Sequence, residues 1–293
     1  MANSWMIRVE HHSGYRYEQE VVSSYNEARM TPLTTDRQLT VDSRLEVEPR
    51  VRAFRYLDYW GSVVDSFDVQ VPHTELSVTA RSVVETYPAP AAPTDLGWEE
   101  LCSEPVADRF AEYLGPTTYV PRDPKLAAMT GSLTTGRTPA AALEEAAGFV
   151  ASHLTYTPGA TEVSTSAVEA YEAGSGVCQD YAHLTLALLR LMGIPGRYVS
   201  GYLHPHDDAA KGEIVSGESH AWIEAWLGDW WGFDPTNGVP AGERHVIVGR
   251  GRDYADVPPL RGIYNHHHAG PDGDVLIPAA GEVDVEVRIS RLA

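Results

Sequence analysis

Gly174-Ser-Gly-Val-Cys178-Gln-Asp-Tyr-Ala-His183-Leu-Thr-Leu-Ala-Leu-Leu-Arg-Leu-Met192-Gly-Ile-Pro195 is the stretch from which the architecture can be read. The glycines at its start break whatever precedes it. From Cys178 to Met192 the apolar residues Ala182, Leu184, Leu186, Ala187, Leu188, Leu189, Leu191 and Met192 fall all round a helical axis. A helix apolar on every side is a buried one, so a central helix over Cys178 to Met192 is expected. Gly193 supplies its stop and Pro195 prevents its continuation.

Downstream, the periodicity changes from helical to extended. Strands are expected at Arg197-Tyr-Val-Ser-Gly-Tyr-Leu, Ser219-His-Ala-Trp-Ile-Glu-Ala-Trp and Trp230-Trp-Gly-Phe-Asp. With Leu227-Gly-Asp229 as the turn, Trp226 pairs with Trp230 and Asp234 falls opposite Trp222. His220 is then a diagonal neighbour of Asp234 on the same face. A one-residue slip would send Asp234 to the other face.

Upstream, Pro139 to Leu154 predicts a helix with Thr138 as N-cap and Pro139 in the first turn, and Ser166 to Ala173 predicts another. Before them, Tyr87-Pro-Ala-Pro-Ala-Ala-Pro-Thr-Asp-Leu-Gly is too rich in proline to pair or coil. Residues 1 to about 86 alternate with period two, as in Trp5-Met-Ile-Arg-Val-Glu, Leu39 to Glu48 and Glu75 to Val84, and Gly61 supplies a hairpin turn. The division expected is a β-rich domain over 1–87, a linker over 88–98 and a second domain over 99–293. The fold class is α+β: an antiparallel β-sandwich followed by a helix-and-hairpin core. Val283-Asp-Val-Glu-Val-Arg-Ile is a further strand that could close either sheet.

At 293 residues the chain has material for one or two domains with a dry core. Its 22 basic and 41 acidic side chains leave a net charge of −19. That balance excludes a nucleic-acid backbone or an anionic membrane as partner, since both require a basic footprint. The excess is uneven: residues 1–98 carry 9 basic and 14 acidic side chains, and residues 99–293 carry 13 and 27. An acidic second half favours a cationic amine or a basic peptide as substrate. Cys102 and Cys178 are the only cysteines. With no disulfide framework, no leader pattern at the start and no run of roughly 20 apolar residues, a cytoplasmic location is expected.

Chemistry concentrates at Cys178. A thiol at a helix start feels unpaired N–H groups and the positive end of the dipole, and both favour thiolate. A nucleophilic thiol also needs a base and a group to orient that base, and His220 with Asp234 fits. His183 lies five residues along the helix, about 140° round the axis from Cys178, and reads as structural. Cys102 has no helix-start signal and reads as packing.

Gly176-Val-Cys-Gln-Asp-Tyr-Ala-His, Gly193-Ile-Pro-Gly-Arg-Tyr-Val-Ser-Gly-Tyr, Ser219-His-Ala-Trp-Ile-Glu and Gly232-Phe-Asp-Pro-Thr-Asn-Gly, in that order, resemble the transglutaminase-like superfamily. More narrowly, the chain resembles its bacterial members with a β-rich N-terminal region. The resemblance implies a papain-like α+β core with Cys178 as nucleophile, His220 as its histidine and Asp234 as its acid. It implies acyl transfer through a thioester, ending in hydrolysis or transamidation of a peptide or protein amide without a cofactor. Animal members usually follow the cysteine with tryptophan; Gln179 stands there instead, which weighs against protein crosslinking more than against thiol catalysis.

For the oxyanion, the candidates are the Cys178 backbone N–H and a side chain at Tyr156 or Gln179. Trp222 and His204 are expected at the substrate cleft, His204 within a polar loop that runs on through His206, Asp207 and Asp208. Two other classes compete. A metal protein would use His204, His206, Asp207, Asp208 and the run His266-His-His268, since His-x-His can bind zinc. A noncatalytic peptide-binding module would use the β-rich half.

Overall fold

The computed structural model describes residues 4–93, 95–266 and 282–293. Its organising element is the strand Trp5–Ala28, 24 residues long. The first half of that strand pairs antiparallel with His73–Thr86, which in turn pairs with Gln38–Glu48. Its second half pairs with Val63–Val69 and Leu260–His266. Tyr17, Val21, Ala28, Val47, Phe67, Val69, Leu76 and Val78 from these strands enclose one core. The N-terminal region is thus antiparallel β, and its layers share a continuous strand. The hairpin at Gly61 is present, joining Phe54–Leu57 to Val63–Val69 with φ +80° at the glycine.

The strand Glu282–Arg291 joins both halves of the molecule. Along one edge it pairs with the first strand, Ile7 opposite Arg291 through Arg16 opposite Glu282. It also pairs with the histidine strand Ile214–Trp226, through Val287 opposite Gly217 to Ser290 opposite Ile214. The choice between two sheets that the sequence poses therefore dissolves, because the strand pairs along both edges within one continuous sheet. Trp5, Ile7, Val9, Val84, Tyr202, Val246, Val248, Val287 and Ile289 form a second core across this junction.

The third core surrounds the cysteine helix, Cys178–Leu191, of whose fourteen residues eleven are buried. Leu184, Leu186, Leu188 and Leu189 have no exposed surface, and each contributes about 1.5–3 kcal/mol by burial. Helices Pro124–Thr134, Pro139–His153 and Ala167–Ala173 pack round it. Thr138 caps the second of these through the Ala141 N–H. Ser166 caps the third, which ends on Gly174 at φ +65°. Three short helices between Trp98 and Leu114 and the helix Pro124–Thr134 are additions to the elements expected from the sequence.

The opposite side of the cysteine helix rests on the sheet. Strand Gly196–Leu203 pairs with the histidine strand, placing Gly201 opposite His220, and with His245–Gly251. Gly201 is required by close approach. A Cβ there would stand 2.0 Å from the Val246 carbonyl oxygen and 2.7 Å from the Trp222 ring. Backbone cannot yield as a flexible side chain does, so Gly201→Ala should cost about 1–3 kcal/mol. Thermal unfolding followed by circular dichroism checks this, the expectation being a melting temperature lowered by several degrees.

Candidate active site

Cys178 is the first residue of the central helix, following Val177 in extended conformation. Its backbone N–H has no acceptor within the helix, as for every first-turn amide. The turn is held by Asp180, whose Oδ2 accepts the Val177 N–H and the Thr161 hydroxyl, both at 2.7 Å. Burial raises the Asp180 pKa, while these two bonds oppose the rise. Gly176 must lack a side chain, since a Cβ would meet Asp180 at 2.6 Å. It pairs with Tyr156 in a short parallel bridge, which brings that tyrosine beside the helix start.

The histidine hairpin has the register derived above: Trp230 pairs with Trp226 and Phe233 with Ile223. His220 Nε2 lies 2.7 Å from Asp234 Oδ2. Its other ring nitrogen is left free of Asp234; the imidazole and the Cys178 thiol line the same cavity, close enough for the thiol to help raise the imidazole pKa. Burial by itself would lower the His220 pKa. The hydrogen bonds and charges of Asp234 and Cys178 outweigh burial and push it up to about 10. For Asp234, burial would raise the pKa, but the donors His220 and His245 hold it well below the carboxylate range.

Asp234 has no exposed surface, and five donors surround it. Oδ1 accepts the N–H groups of Thr236 and Asn237, and Oδ2 accepts Asn237 Nδ2 and the two histidines. His245, at 3.2 Å, is a member of the site that the sequence reading missed. It opens a strand after an irregular turn, so no alternation pointed to it.

A cavity of about 390 Å³ opens over Cys178 and His220. Tyr156, Gln179, Tyr198, Ser200, Ser219 and Tyr254 contribute its polar wall. Among the described residues the lining contains no aspartate or glutamate. Tyr156 is 43% exposed on this wall. Gln179 is there too, but its amide donates to the Val163 carbonyl at 2.9 Å.

Two expected cleft residues lie elsewhere. Trp222 is fully buried, its ring 6.1 Å from that of His220 and nearly parallel, so it backs the histidine instead of facing the cavity. Sharing a face with His220 does not expose it, because His245 covers that face at 5.2 Å. His204 packs its ring edge-on to Trp5 at 5.7 Å, accepts the His206 N–H at Nδ1, and is absent from the lining. His183 faces away from the cysteine as anticipated. It accepts the Tyr254 N–H, and burial, helped by the Arg190 charge, pushes its pKa down to about 3.

Two sets of side chains bear on metal binding. Among the described residues, no group of three metal-ligating side chains includes His204, His206, Asp207, Asp208 or His266. Asp207 pairs with Arg244 at 2.7 Å. His267 and His268 lie outside the described residues. His220, Asp234 and His245 do present ligand atoms within 4.8 Å of one another. However, the Gly242 N–H donates to His245 Nδ1, so Nε2 carries the proton and has no lone pair for a metal.

Fold and site together define a transglutaminase-like protein. Residues 127–235 match the transglutaminase-like superfamily, and residues 7–85 match the bacterial transglutaminase-like N-terminal region. An uncharacterized protein of Mycobacterium leprae is 48% identical over 289 residues, covering 99% of this chain and all of the relative. The chain belongs to the transglutaminase-like superfamily. A protein-glutamine gamma-glutamyltransferase of Pseudomonas aeruginosa is 31% identical over 102 residues, 31% of this chain and 15% of that one. In fold, a candidate cysteine protease from Cytophaga hutchinsonii superposes with a TM-score of 0.77 at 22% identity, covering all of this chain and 92% of that one. No helix among the described residues is long and apolar enough to cross a membrane.

The two shifted groups make opposite contributions with pH. His220, raised on folding, stabilises fully below its ordinary value of 6.5, and that stabilisation is lost as pH climbs towards about 10. Asp234, depressed on folding, stabilises fully above its ordinary 3.8 and loses this only in strong acid. Urea unfolding of wild type and His220→Ala should therefore show a stability difference that shrinks between pH 6.5 and 10. A difference constant across that range would contradict the ion-paired histidine.

Proposed function

We propose that the protein is a thiol-dependent acyl-transfer enzyme acting on peptide or protein amides, with Cys178, His220 and Asp234 as its catalytic groups. The observation that carries this reading is the hydrogen bond from buried Asp234 to His220, with that histidine and a thiol at a helix start lining one cavity. Asp234 engages Nε2, so the nitrogen facing the thiol is the one that moves protons.

In this reading the Cys178 sulfur attacks the amide carbonyl carbon while the carbonyl electron pair moves to oxygen. The oxyanion is met by the Cys178 backbone N–H, with Tyr156 and Gln179 on the same wall as the side-chain candidates. His220 gives its proton to the departing amine as the C–N bond breaks, leaving a thioester. The imidazole then takes a proton from water or from an acceptor amine, which attacks the thioester and regenerates the thiol. Trp222 holds the imidazole plane from behind.

Support for the substrate class comes from the cavity wall, which offers hydroxyl, aromatic and apolar surface and suits a neutral amide at the reacting position. The net negative charge acts at longer range, where it would draw in a cationic amine acceptor or a basic peptide. The resemblance to a glutamine gamma-glutamyltransferase makes transamidation of glutamine one of the two outcomes to be tested, hydrolysis being the other.

Iodoacetamide labelling followed by peptide mass spectrometry tests the site. At pH 6, Cys178 should label at least about tenfold faster than Cys102, because an ordinary thiol is mostly protonated there. His220→Ala should abolish that advantage, and equal rates in the wild type would sink the assignment. The fork is read by incubating a glutamine-peptide library with and without a primary amine. Gain of the amine mass means transamidation, deamidation means side-chain hydrolysis, and cleavage means peptidase activity. A Cys178→Ala variant that retained full cellular function would favour a noncatalytic binding role instead.

A further inference from the structure

We propose that His245 is a positioning residue for the catalytic pair: a permanently neutral imidazole that locks the Asp234 carboxylate in the orientation His220 needs. The inference rests on the reading of Cys178, His220 and Asp234 just given, and concerns a residue just beyond the region matched to the superfamily core.

The bonding pattern admits one arrangement of protons. The Gly242 N–H points at His245 Nδ1 from 3.1 Å, so Nδ1 must be the acceptor. The single ring proton of the neutral form is therefore on Nε2, 3.2 Å from Asp234 Oδ2. Protonating Nδ1 would set two donors against each other, and 5% exposure gives the extra charge no water. The charged groups facing the ring are Asp234, His220 and Arg244. Across a cavity of about 310 Å³ behind it stand Arg197, Glu224 and Arg250, joined in ion pairs, with Asp36, Arg37 and Asp229 on the same wall. Burial leads the forces that keep His245 uncharged, and the Asp234 carboxylate only partly opposes it.

Two imidazoles thus donate to one carboxylate oxygen with different duties. The ring of His220 also exchanges a proton with the reacting groups through its other nitrogen, whereas His245 serves Asp234 alone. Without His245, Oδ2 keeps only Asn237 and His220 as donors, and the hold on that side of the carboxylate is weakened. The imidazolium of His220 then loses part of its counterion, and the thiolate partnered with it forms only at higher pH. His245 does not line the cavity over Cys178, so it reaches the thiol only through Asp234 and through the rings of His220 and Trp222 beside it.

The test uses the pH profile of Cys178 alkylation by iodoacetamide in the full chain, with Cys102 as internal reference. His245→Phe keeps the ring volume and removes both hydrogen bonds. It should move the low-pH limb up by about one unit, which is a tenfold slower reaction near pH 5–6. His245→Gln restores a donor for Asp234 and an acceptor for the Gly242 N–H, and should recover most of that loss. A histidine with only a packing role would lower the melting temperature and leave the limb in place. Either that result or a His245→Gln profile no better than His245→Phe would overturn the proposal.

If His245→Phe does not fold, nitrogen-15 NMR of the wild type decides. The expected ring has its proton on Nε2 and a midpoint below the ordinary 6.5, whereas an Nδ1–H tautomer or a midpoint at or above 6.5 would overturn the proposal. A wild-type profile in which Cys178 behaves like Cys102 would sink the enzyme reading itself, a failure separate from any in the variants.

Discussion

A carboxylate with no contact with water must be satisfied wholly by the protein, and the arrangement of the catalytic half follows from satisfying Asp234. Its five donors come from three directions: the turn that follows it, the neighbouring strand and the strand beginning at His245. Each has to be in place for any of them to be useful, because a buried charge left short of partners is strongly destabilising. The hairpin register, the Gly201 crossing and the turn through Gly242 are thereby tied to a single atom group. Orientation of His220 is a by-product of solving a solvation problem.

Legibility in the sequence tracked the regularity of the backbone. The cysteine helix could be read because its apolar residues cover every side. The relation of His220 to Asp234 could be read because a three-residue turn fixes register and a strand has a period of two. The same rule failed for Trp222, since alternation assigns a face but does not say what covers it. His245 was invisible for a different reason. It enters after an irregular turn that sets no phase, and its significance lies in a nitrogen lone pair claimed by a glycine amide. The helices between Trp98 and Thr134 are short or weakly amphipathic, so packing, not local pattern, determines them. Reading the terminal strand as a choice between sheets assumed two separate sheets, whereas the hydrogen bonding makes one.

Charge shows a similar division between global and local. A chain with an excess of 19 negative charges invites the expectation of an acidic site. Among the described residues the walls round Cys178 carry no carboxylate, and the acidic residue nearest in sequence, Asp180, is turned inward to hold the helix start. Placing the acids away from the cavity resolves the conflict between an acidic protein and a thiolate, which neighbouring negative charge would oppose.

The bridging strand Glu282–Arg291 has a consequence for the order in which the molecule can be completed. It lies between the first strand of the chain and the strand bearing His220, yet follows both in sequence. While the polypeptide is emerging from a ribosome, the residues from Ile214 to Gly217 have no neighbour on that edge until the stretch beyond Glu282 has been made. The cysteine helix and the histidine hairpin can collapse on each other before then. The strand that carries His220 gains its seat against the N-terminal region only afterwards. Seating of the histidine strand is thus coupled to synthesis of a segment that contributes none of Cys178, His220 and Asp234.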